Sequence, residues 1–318
     1  MTSRIPVLDL AQWRSASPAE RKQVAAGLDA TLRQTGMFLV SGHDVPAELT
    51  GRMRTEGLDF FRLPAGQKDK YRVLRPYDNG WRGLGALQVD SAPDLHEAFH
   101  VGPTHRTGDA AFDTLYYPDN KWPAEQPELQ AVATEYTGHM VRVAHEVLTV
   151  LATVLDVAAD FFTAKAARAT WTQNVNWYPS LRTVGGVQDG QMRVGPHSDF
   201  GTLSLLDRQR GVGGLQVWNA EDGWFEPPYQ DGTLAVILGD LMNLWTDGRW
   251  RALRHRVLAP SVSAPEEELV SLVFFFEADP DARITPLAAP VGGGQGMSPV
   301  VAGESILEKV GVSLTLAD

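Results

Sequence analysis

The spacing of apolar residues changes near residue 169, and this change constrains the fold more than any other feature of the sequence. Before it, apolar residues recur every three or four positions, as in amphipathic helices. After it come short β-branched and aromatic runs separated by glycine and proline: TWTQNVNWYP, GTLSLLD, GLQVWN, TLAVILGD, HRVLAP and LVSLVFFF. The pattern predicts a β-sandwich or barrel core covered by N-terminal helices.

Helix signals lie on both sides of this β-rich region. A capping box at residues 17–20, with proline at the first helical position, begins an apolar stripe that stops at Gly36. A longer stripe predicts a helix over residues 128–156, and we expect a short C-terminal helix over residues 304–310. The predicted fold is therefore mainly β with flanking helices.

The chain shows no repeat, charge block or long linker that would divide it. We therefore expect a single domain over residues 1–318. Its parts would be a mainly helical segment at 1–168, a β-core with the functional site at 169–277, and a C-terminal segment at 278–318.

Composition excludes several classes of protein. Lys and Arg number 28 against 39 Asp and Glu, a formal charge of −11, so nucleic acid is not an expected partner. The absence of cysteine removes disulfides, thiolate metal sites and a cysteine nucleophile. No apolar run approaches the ~20 residues of a membrane span. We expect a soluble, cytoplasmic protein with a small-molecule substrate, and the oligomeric state stays open.

The stretch DLHEAFH contains His96-Glu97-x-x-His100, which matches the HExxH signature of zinc proteases. That signature requires a stable helix, so that the two histidines share one face. Here Pro93 and Gly102 leave room for at most about two helical turns. We expect instead a surface turn with polar histidines.

A second constellation begins with His197-x-Asp199 in the run VGPHSDFGTLSLL. In an extended chain, residues two apart point the same way and lie roughly 6.6 Å apart. His255 follows in another β-rich segment. Two imidazoles and one carboxylate occupy one face of an octahedral ion, as in non-haem Fe(II) oxygenases. The sequence therefore predicts an iron site, with a buried structural histidine as the alternative for His255.

Several further motifs occur in a recognisable order: IPVLDL, GMFLVSGHDV, DFFRLPAGQKDKY, NWYP, HSDFGTLSLL, GGLQVW, LGDLMNLWTDGRWRALRHRV and SLVFFFE. With them the chain resembles the Fe(II)- and 2-oxoglutarate-dependent oxygenases of the isopenicillin N synthase type. The resemblance implies a double-stranded β-helix, also called a jelly roll or cupin-like fold, with Fe(II) held by His197, Asp199 and His255. It also makes the HExxH match an accident, in which Glu97 is ordinary and His96 stands where the family commonly has lysine.

The resemblance implies a dioxygenase that couples oxidative decarboxylation of 2-oxoglutarate by O2 to oxidation of a small molecule in specialised metabolism. Hydroxylation, desaturation and cyclisation are all open. The metal ligands are the only catalytic residues expected. Trp81, Trp122, Phe200 and Phe275 are candidates for a substrate pocket, with core packing as the alternative for each.

One position departs from the family pattern. The family arginine that pairs with the far carboxylate of 2-oxoglutarate is replaced by Leu269, whereas Ser271 and Tyr178 are retained. A buried carboxylate needs a cation or several donors. Arg208 is the favoured replacement and Arg193 the second candidate.

Two other functions stay open at this stage. The loss of the family arginine allows an oxidase that, like isopenicillin N synthase, does not use 2-oxoglutarate. Outside the enzymes, an iron-binding sensor or an inactive binding module is the alternative, although the intact set of ligands disfavours an inactive protein.

Overall fold

The computed structural model describes residues 5–86, 92–212 and 214–313. Within these ranges, the strands in chain order are β1 (Val7–Asp9), β2 (Met37–Ser41), β3 (Gly80–Arg82), β4 (Glu97–Val101), β5 (Trp171–Tyr178), β6 (Val194–His197), β7 (Leu203–Asp207), β8 (Leu215–Asn219), β9 (Gly223–Phe225), β10 (Leu234–Leu238), β11 (His255–Val257), β12 (Leu269–Phe276), β13 (Arg283–Ile284) and β14 (Val300–Val301).

The α-helices of the same ranges are α1 (Leu10–Ser15), α2 (Pro18–Gln34), α3 (Ala47–Phe61), α4 (Ala65–Lys68), α5 (Ala110–Tyr116), α6 (Pro127–Val154), α7 (Leu181–Val184), α8 (Asp240–Trp245) and α9 (Ala302–Ser313), and Asp69–Tyr71 and Thr163–Lys165 form short 3-10 helices. The capping box predicted for α2 is present, with Ser17 and Glu20 exchanging hydrogen bonds. The predicted helices at 128–156 and 304–310 correspond to α6 and α9.

Two sheets form the core. The larger has the strand order β1-β2-β10-β7-β12-β5-β4-β3, and the smaller has the order β6-β11-β8-β9. An apolar cluster joins the sheets, with Leu39, Leu206 and Ile237 from the larger sheet against Leu215 and Val217 from the smaller. The predicted jelly-roll core is confirmed.

The larger sheet separates the helical layer from the interior between the sheets. On β12 the even-numbered residues, such as Phe274 and Phe276, are fully buried in the main apolar core with the long helix α6. The odd-numbered residues Val273 and Phe275 line the cavity between the sheets. This alternation is the period of two expected of a strand with different environments on its two faces.

The N-terminal part contributes more to the sheet than its helical pattern predicts. β2 pairs with β10, and β4 pairs with β5, so strands from the first half extend both sides of the jelly-roll sheet. The strands β1 to β4 are each three to five residues long, which is too short to give a clear period-two signal in the sequence.

The HExxH segment does not form the expected surface turn. Residues 97–101 are β4, and every one of them is buried. The expectation of a turn was wrong because the pairing with β5 on one side and β3 on the other places this segment inside the larger sheet. Separately, no helix in the described ranges is long and apolar enough to cross a membrane.

Candidate active site

Three predicted metal-binding side chains meet at one end of the smaller sheet. His255 on β11 lies directly opposite His197 on β6, and the two ring centroids are 4.2 Å apart. Asp199 follows β6, and its Oδ1 lies 3.6 Å from Nε2 of His197 and 3.7 Å from Nε2 of His255. The donor atoms of all three residues lie within 4.8 Å of one another.

The backbone fixes the orientation of both imidazoles. Nδ1 of His197 lies 2.9 Å from the carbonyl oxygen of Gly195, and Nδ1 of His255 lies 3.2 Å from that of Leu253. A protonated Nδ1 donates to each carbonyl, which leaves the Nε2 lone pairs directed toward Asp199. Burial, followed by the neighbouring His255, lowers the pKa of His197 to about 4. A neutral imidazole is the form that binds a metal.

Asp199 is positioned in the same way. Its Oδ2 accepts a hydrogen bond of 2.6 Å from the Ser204 hydroxyl on β7, so Oδ1 remains on the side of the histidines. Within the described ranges, His197, Asp199 and His255 are the cluster of histidine and acidic side chains close enough to hold one ion. Two nitrogens and one carboxylate oxygen fit Fe(II), and three positions stay open for other ligands.

The open side of this triad faces a cavity of about 990 Å³ between the two sheets. One wall is β5, whose alternate side chains Thr172, Asn174, Asn176 and Tyr178 all line the cavity. Another wall is α9, which contributes Gly303, Ile306, Leu307, Lys309 and Val310. Such a cavity is large enough for a small-molecule substrate.

The four aromatic candidates divide evenly. Phe200 and Phe275 line the cavity, as predicted. Trp81 is buried and donates a hydrogen bond of 2.7 Å to Glu97, and Trp122 packs against the apolar core. Neither tryptophan is among the residues that line the cavity in the described part of the chain.

The HExxH residues are split between two environments. His96 and His100 line the large cavity, and burial is the main cause that lowers the pKa of both, to about 4 for His96. Glu97 is buried and forms an ion pair of 2.7 Å with the equally buried Lys68. Glu97 therefore has a structural role, because it neutralises a buried lysine, and it is not part of the metal-binding cluster.

A second cavity of about 600 Å³ adjoins the first. Tyr178, Leu206, Leu215 and Val257 line both. The second cavity is also lined by Ser271, Leu269 and Arg208, and the Ser271 hydroxyl donates to the Tyr178 hydroxyl at 3.2 Å. The structure thus brings the predicted cosubstrate residues Tyr178, Ser271 and Arg208 to one cavity. Arg193 lies elsewhere, fully buried and 3.5 Å from Oε1 of Glu267.

Several residues of the large cavity were missed by the sequence analysis. Asn174 and Asn176 share the strand parity of Tyr178 in NWYP, and that parity was the available signal. Glu277 and Lys309 carry no comparable signal. Glu277 lies one residue beyond β12, and Lys309 is brought to the cavity by the packing of α9.

Two family models match the chain. Residues 173–278 match the 2OG-Fe(II) oxygenase superfamily, and residues 5–125 match the N-terminal region of a non-haem dioxygenase in morphine synthesis. The chain is also 62% identical to validamycin A dioxygenase of Streptomyces hygroscopicus subsp. limoneus, over 97% of this chain and 86% of that protein.

The chain belongs to the 2OG-Fe(II) oxygenase superfamily. A more distant relative in this superfamily is the 2-oxoglutarate-Fe(II) type oxidoreductase hxnY of Emericella nidulans, at 31% identity over 87% of this chain and 80% of that protein. The prediction of an enzyme that uses Fe(II) and 2-oxoglutarate is confirmed. This oxygenase is a dioxygenase. The family relationship therefore favours this function over the 2-oxoglutarate-independent oxidase and over the non-enzyme alternative.

Solved structures show the same fold. The oxygenase aligns with a full-length protein of Neurospora crassa, solved in complex with alpha-KG and thymine, at a TM-score of 0.84 and 19% identity, over 97% of this chain and 96% of that one. It also aligns with a putative 2OG-Fe(II) oxygenase family protein of Caulobacter crescentus at a TM-score of 0.83 and 22% identity, over 98% and 100% of the two chains.

Proposed function

We propose that this oxygenase oxidises validamycin A or a compound of closely related structure, with Fe(II) held by His197, Asp199 and His255. The 62% identity to validamycin A dioxygenase, over nearly the whole chain, is the observation that carries the substrate proposal. The close approach of the three donor groups supports the ligand assignment. The cytoplasmic location stays a prediction from the sequence.

We also propose that residues 1–318 work as one oxygenase domain. Strands from both halves of the sequence pair within one sheet, which supports a single domain. The helical layer and the β-core also share one apolar cluster, which includes Leu28, Tyr136 and Phe274.

Arg208 is proposed to bind the distal carboxylate of 2-oxoglutarate. The pairing of β7 with β12 joins Leu206 to Val273 and ends with Asp207 opposite Leu272. Arg208 and Ser271 are the next residues along the two chains, and both line the second cavity. Arg208 can therefore supply, from the neighbouring strand, the charge that Leu269 lacks.

The present contacts of Arg208 also support this role. Its guanidinium donates to the carbonyl oxygens of Pro227 and Pro228 and lies over the ring of Tyr229, 5.4 Å from the centroid. The charge of Glu226, which lines the same cavity, acts on Arg208, but the hydrogen bonds of the guanidinium go to neutral carbonyl oxygens. A bound carboxylate can replace these contacts, because a guanidinium can bind a carboxylate through two parallel hydrogen bonds.

Arg193 is less suited to this role. It is fully buried, it is absent from the described lining of both cavities, and its guanidinium contacts both the side chain and the backbone oxygen of Glu267. It lies 5.8 Å from the centre of the Tyr178 ring, and its charge partly offsets the burial that raises the pKa of Tyr178. Direct contact with a molecule in the second cavity would require Arg193 to leave Glu267.

In this proposal the large cavity binds the substrate, and the second cavity binds the distal carboxylate of 2-oxoglutarate. When bound, Fe(II) supplies the oxidising chemistry together with O2 and 2-oxoglutarate. Gly195, Leu253 and Ser204 hold the ligand side chains in the orientation that keeps the metal-facing atoms together. Tyr178 and Ser271 offer neutral hydrogen bonds beside Arg208 in the second cavity, while the large cavity holds the substrate next to the triad.

Turnover with validamycin A tests the substrate proposal. The purified protein is incubated in air with Fe(II), 2-oxoglutarate and validamycin A, and succinate and the oxidised product are quantified by mass spectrometry. We expect the two products in equal amounts, and neither with Asp199→Ala. Succinate formed without any change in validamycin A would show that the substrate proposal is wrong.

Anaerobic titration of the Fe(II) protein with 2-oxoglutarate tests Arg208. The readout is the metal-to-ligand charge-transfer band. Arg208→Ala should weaken cosubstrate binding by about 2–5 kcal/mol, since it removes one partner of a buried charge pair. The matched control is Arg182→Ala, an exposed arginine outside the described lining of both cavities, which should bind like the wild type. Weakening confined to Arg193→Ala would move the role to Arg193.

A further inference from the structure

Glu277 places a carboxylate in the substrate cavity beside the iron-binding loop. It follows β12 directly and has the parity of the cavity-lining residues Val273 and Phe275. A Cβ atom at Gly201, two residues after Asp199, would overlap the Glu277 carboxylate, so these two groups are in close contact. The Thr202 N–H donates to Oε2 at 2.8 Å.

The charge of Glu277 has no countercharge in the described part of the protein. Among the described residues, the carboxylate forms no ion pair and accepts only the hydrogen bond from Thr202. Two other acidic side chains that line the cavity do have a cation as partner: Asp78 pairs with Arg75, and Asp240 pairs with Lys309.

The surroundings of Glu277 make an isolated negative charge unfavourable. Burial is the main cause that raises the pKa of Glu277 to about 8, and the charge of Asp199 acts in the same direction. Removing a carboxylate from water is costly unless a cation or several donors replace the water. A positively charged group placed against the free side of the carboxylate would remove this cost.

The adjacent cavity wall suits an organic cation. Phe275 lines the cavity two residues before Glu277 and on the same side of the strand, and aromatic faces attract cations. Thr170 and Thr172 offer hydroxyl groups along the neighbouring strand, where the Glu277 N–H donates to the Thr170 carbonyl oxygen at 2.9 Å. A compact cationic group therefore finds a carboxylate and an aromatic ring for its charge, and its hydrogen-bonding substituents find the two threonine hydroxyls.

We propose that Glu277 is a specificity-determining residue that binds a positively charged nitrogen of the substrate, a protonated amine, within the large cavity. The proposal rests on the proposed function in that it concerns the same cavity and substrate. Beyond the proposed function, it specifies that the substrate group bound by Glu277 is a protonated amine. Because Glu277 adjoins Gly201 and Thr202, it would hold that amine close to the iron-binding loop and so select which part of the substrate faces the metal site.

Binding to the anaerobic Fe(II) and 2-oxoglutarate form of the enzyme tests the proposal. Validamycin A is titrated calorimetrically into wild type, Glu277→Gln and Glu277→Leu. Glu277→Gln retains an oxygen for the Thr202 N–H and removes only the charge, so we expect at least about tenfold weaker binding in this variant. Equal binding by wild type and Glu277→Gln, with loss only in Glu277→Leu, would indicate a neutral donor and overturn the proposal.

A second pair of probes does not depend on validamycin A. Cyclohexylammonium and cyclohexanol have similar shapes and differ in charge. Wild type should prefer the ammonium compound by at least about tenfold, and Glu277→Gln should lose this preference. No preference in the wild type would overturn the proposal. If wild type binds the ammonium probe and not validamycin A, the substrate proposal fails while the role of Glu277 stands.

Two controls separate recognition from structural damage. The exposed Glu221→Gln removes the same charge outside both cavities and should leave all binding unchanged. The charge-transfer band of the Fe(II) and 2-oxoglutarate complex should be retained in Glu277→Gln, because neither the metal ligands nor the second cavity is altered.

Discussion

Two groups of two histidines and one carboxylate lie beside the same cavity, and only one of them can hold a metal ion. His197 and His255 come from adjacent strands and face each other across a ladder, with Asp199 against both. His96 and His100 lie four residues apart along one extended segment, a separation of about 13 Å. Glu97 points to the opposite face and pairs with Lys68.

The difference shows that secondary structure decides what a motif means. In a helix, the HExxH spacing places two histidines on one face about one turn apart. In a strand, the same spacing separates them and sends the intervening carboxylate to the other side of the sheet. The triad instead depends on pairing between strands that are distant in sequence, which no local pattern encodes.

The largest effect expected from this comparison is on iron binding. His197→Ala and His255→Ala each remove one of the three proposed ligands, so both should lose stoichiometric Fe(II) and all turnover. His96→Ala and His100→Ala should retain about one Fe(II) per chain. Metal analysis after anaerobic loading and desalting provides the measurement. Loss of iron in His96→Ala with retention in His197→Ala would reverse the assignment of the two groups.

The second-largest effect is on the free energy of unfolding, and it concerns Glu97, the carboxylate of the HExxH segment. Lys68→Met leaves Glu97 buried without its cation, which should lower the free energy of unfolding by about 3–5 kcal/mol. The matched control is Asp69→Asn, which breaks the exposed pair with Arg72 and should cost about 0–1 kcal/mol. Urea unfolding monitored by circular dichroism compares the two. Equal, small losses would mean that the buried pair contributes little to the fold.

The smallest effect is the pH dependence that the buried His96 imposes. Its pKa is about 4 in the folded protein and about 6.5 when exposed, so between these values the unfolded chain binds a proton that the folded chain does not. The free energy of unfolding should therefore fall as the pH drops from about 6.5 to about 4, by up to about 1.4 kcal/mol per pH unit.

His96→Gln provides the comparison for this titration. In iron-free protein, its unfolding free energy should fall less steeply over the same pH range, because one proton-binding group is absent. Urea unfolding at a series of pH values measures both slopes. Identical slopes would show that His96 is already protonated in the folded state.

Much of the fold was predictable from local signals. The capping box at Ser17, the long apolar stripe of α6 and the β-branched and aromatic run of β12 each depend on residues within one element. The short strands β1, β2, β3 and β4 were not predicted, because they are stabilised by pairing with distant partners.

The candidate site divides in the same way. His197 and Asp199 could be proposed as metal ligands because they are two residues apart in a β-type segment, and His255 was added by its β-rich context and by family resemblance. The position of Glu277 against Gly201 depends on tertiary packing between β12 and the loop after β6. Arg208 is intermediate, since its strand parity was visible in the sequence but its position in one cavity with Ser271 was not.

The most direct test of the central claim is an anomalous-scattering map from crystals of the anaerobic Fe(II) form, recorded at the iron absorption edge. We expect one strong peak bounded by Nε2 of His197, Nε2 of His255 and Oδ1 of Asp199, with no peak near His96 or His100. A peak between His96 and His100, or iron bound away from Asp199, would contradict the assignment of the metal site.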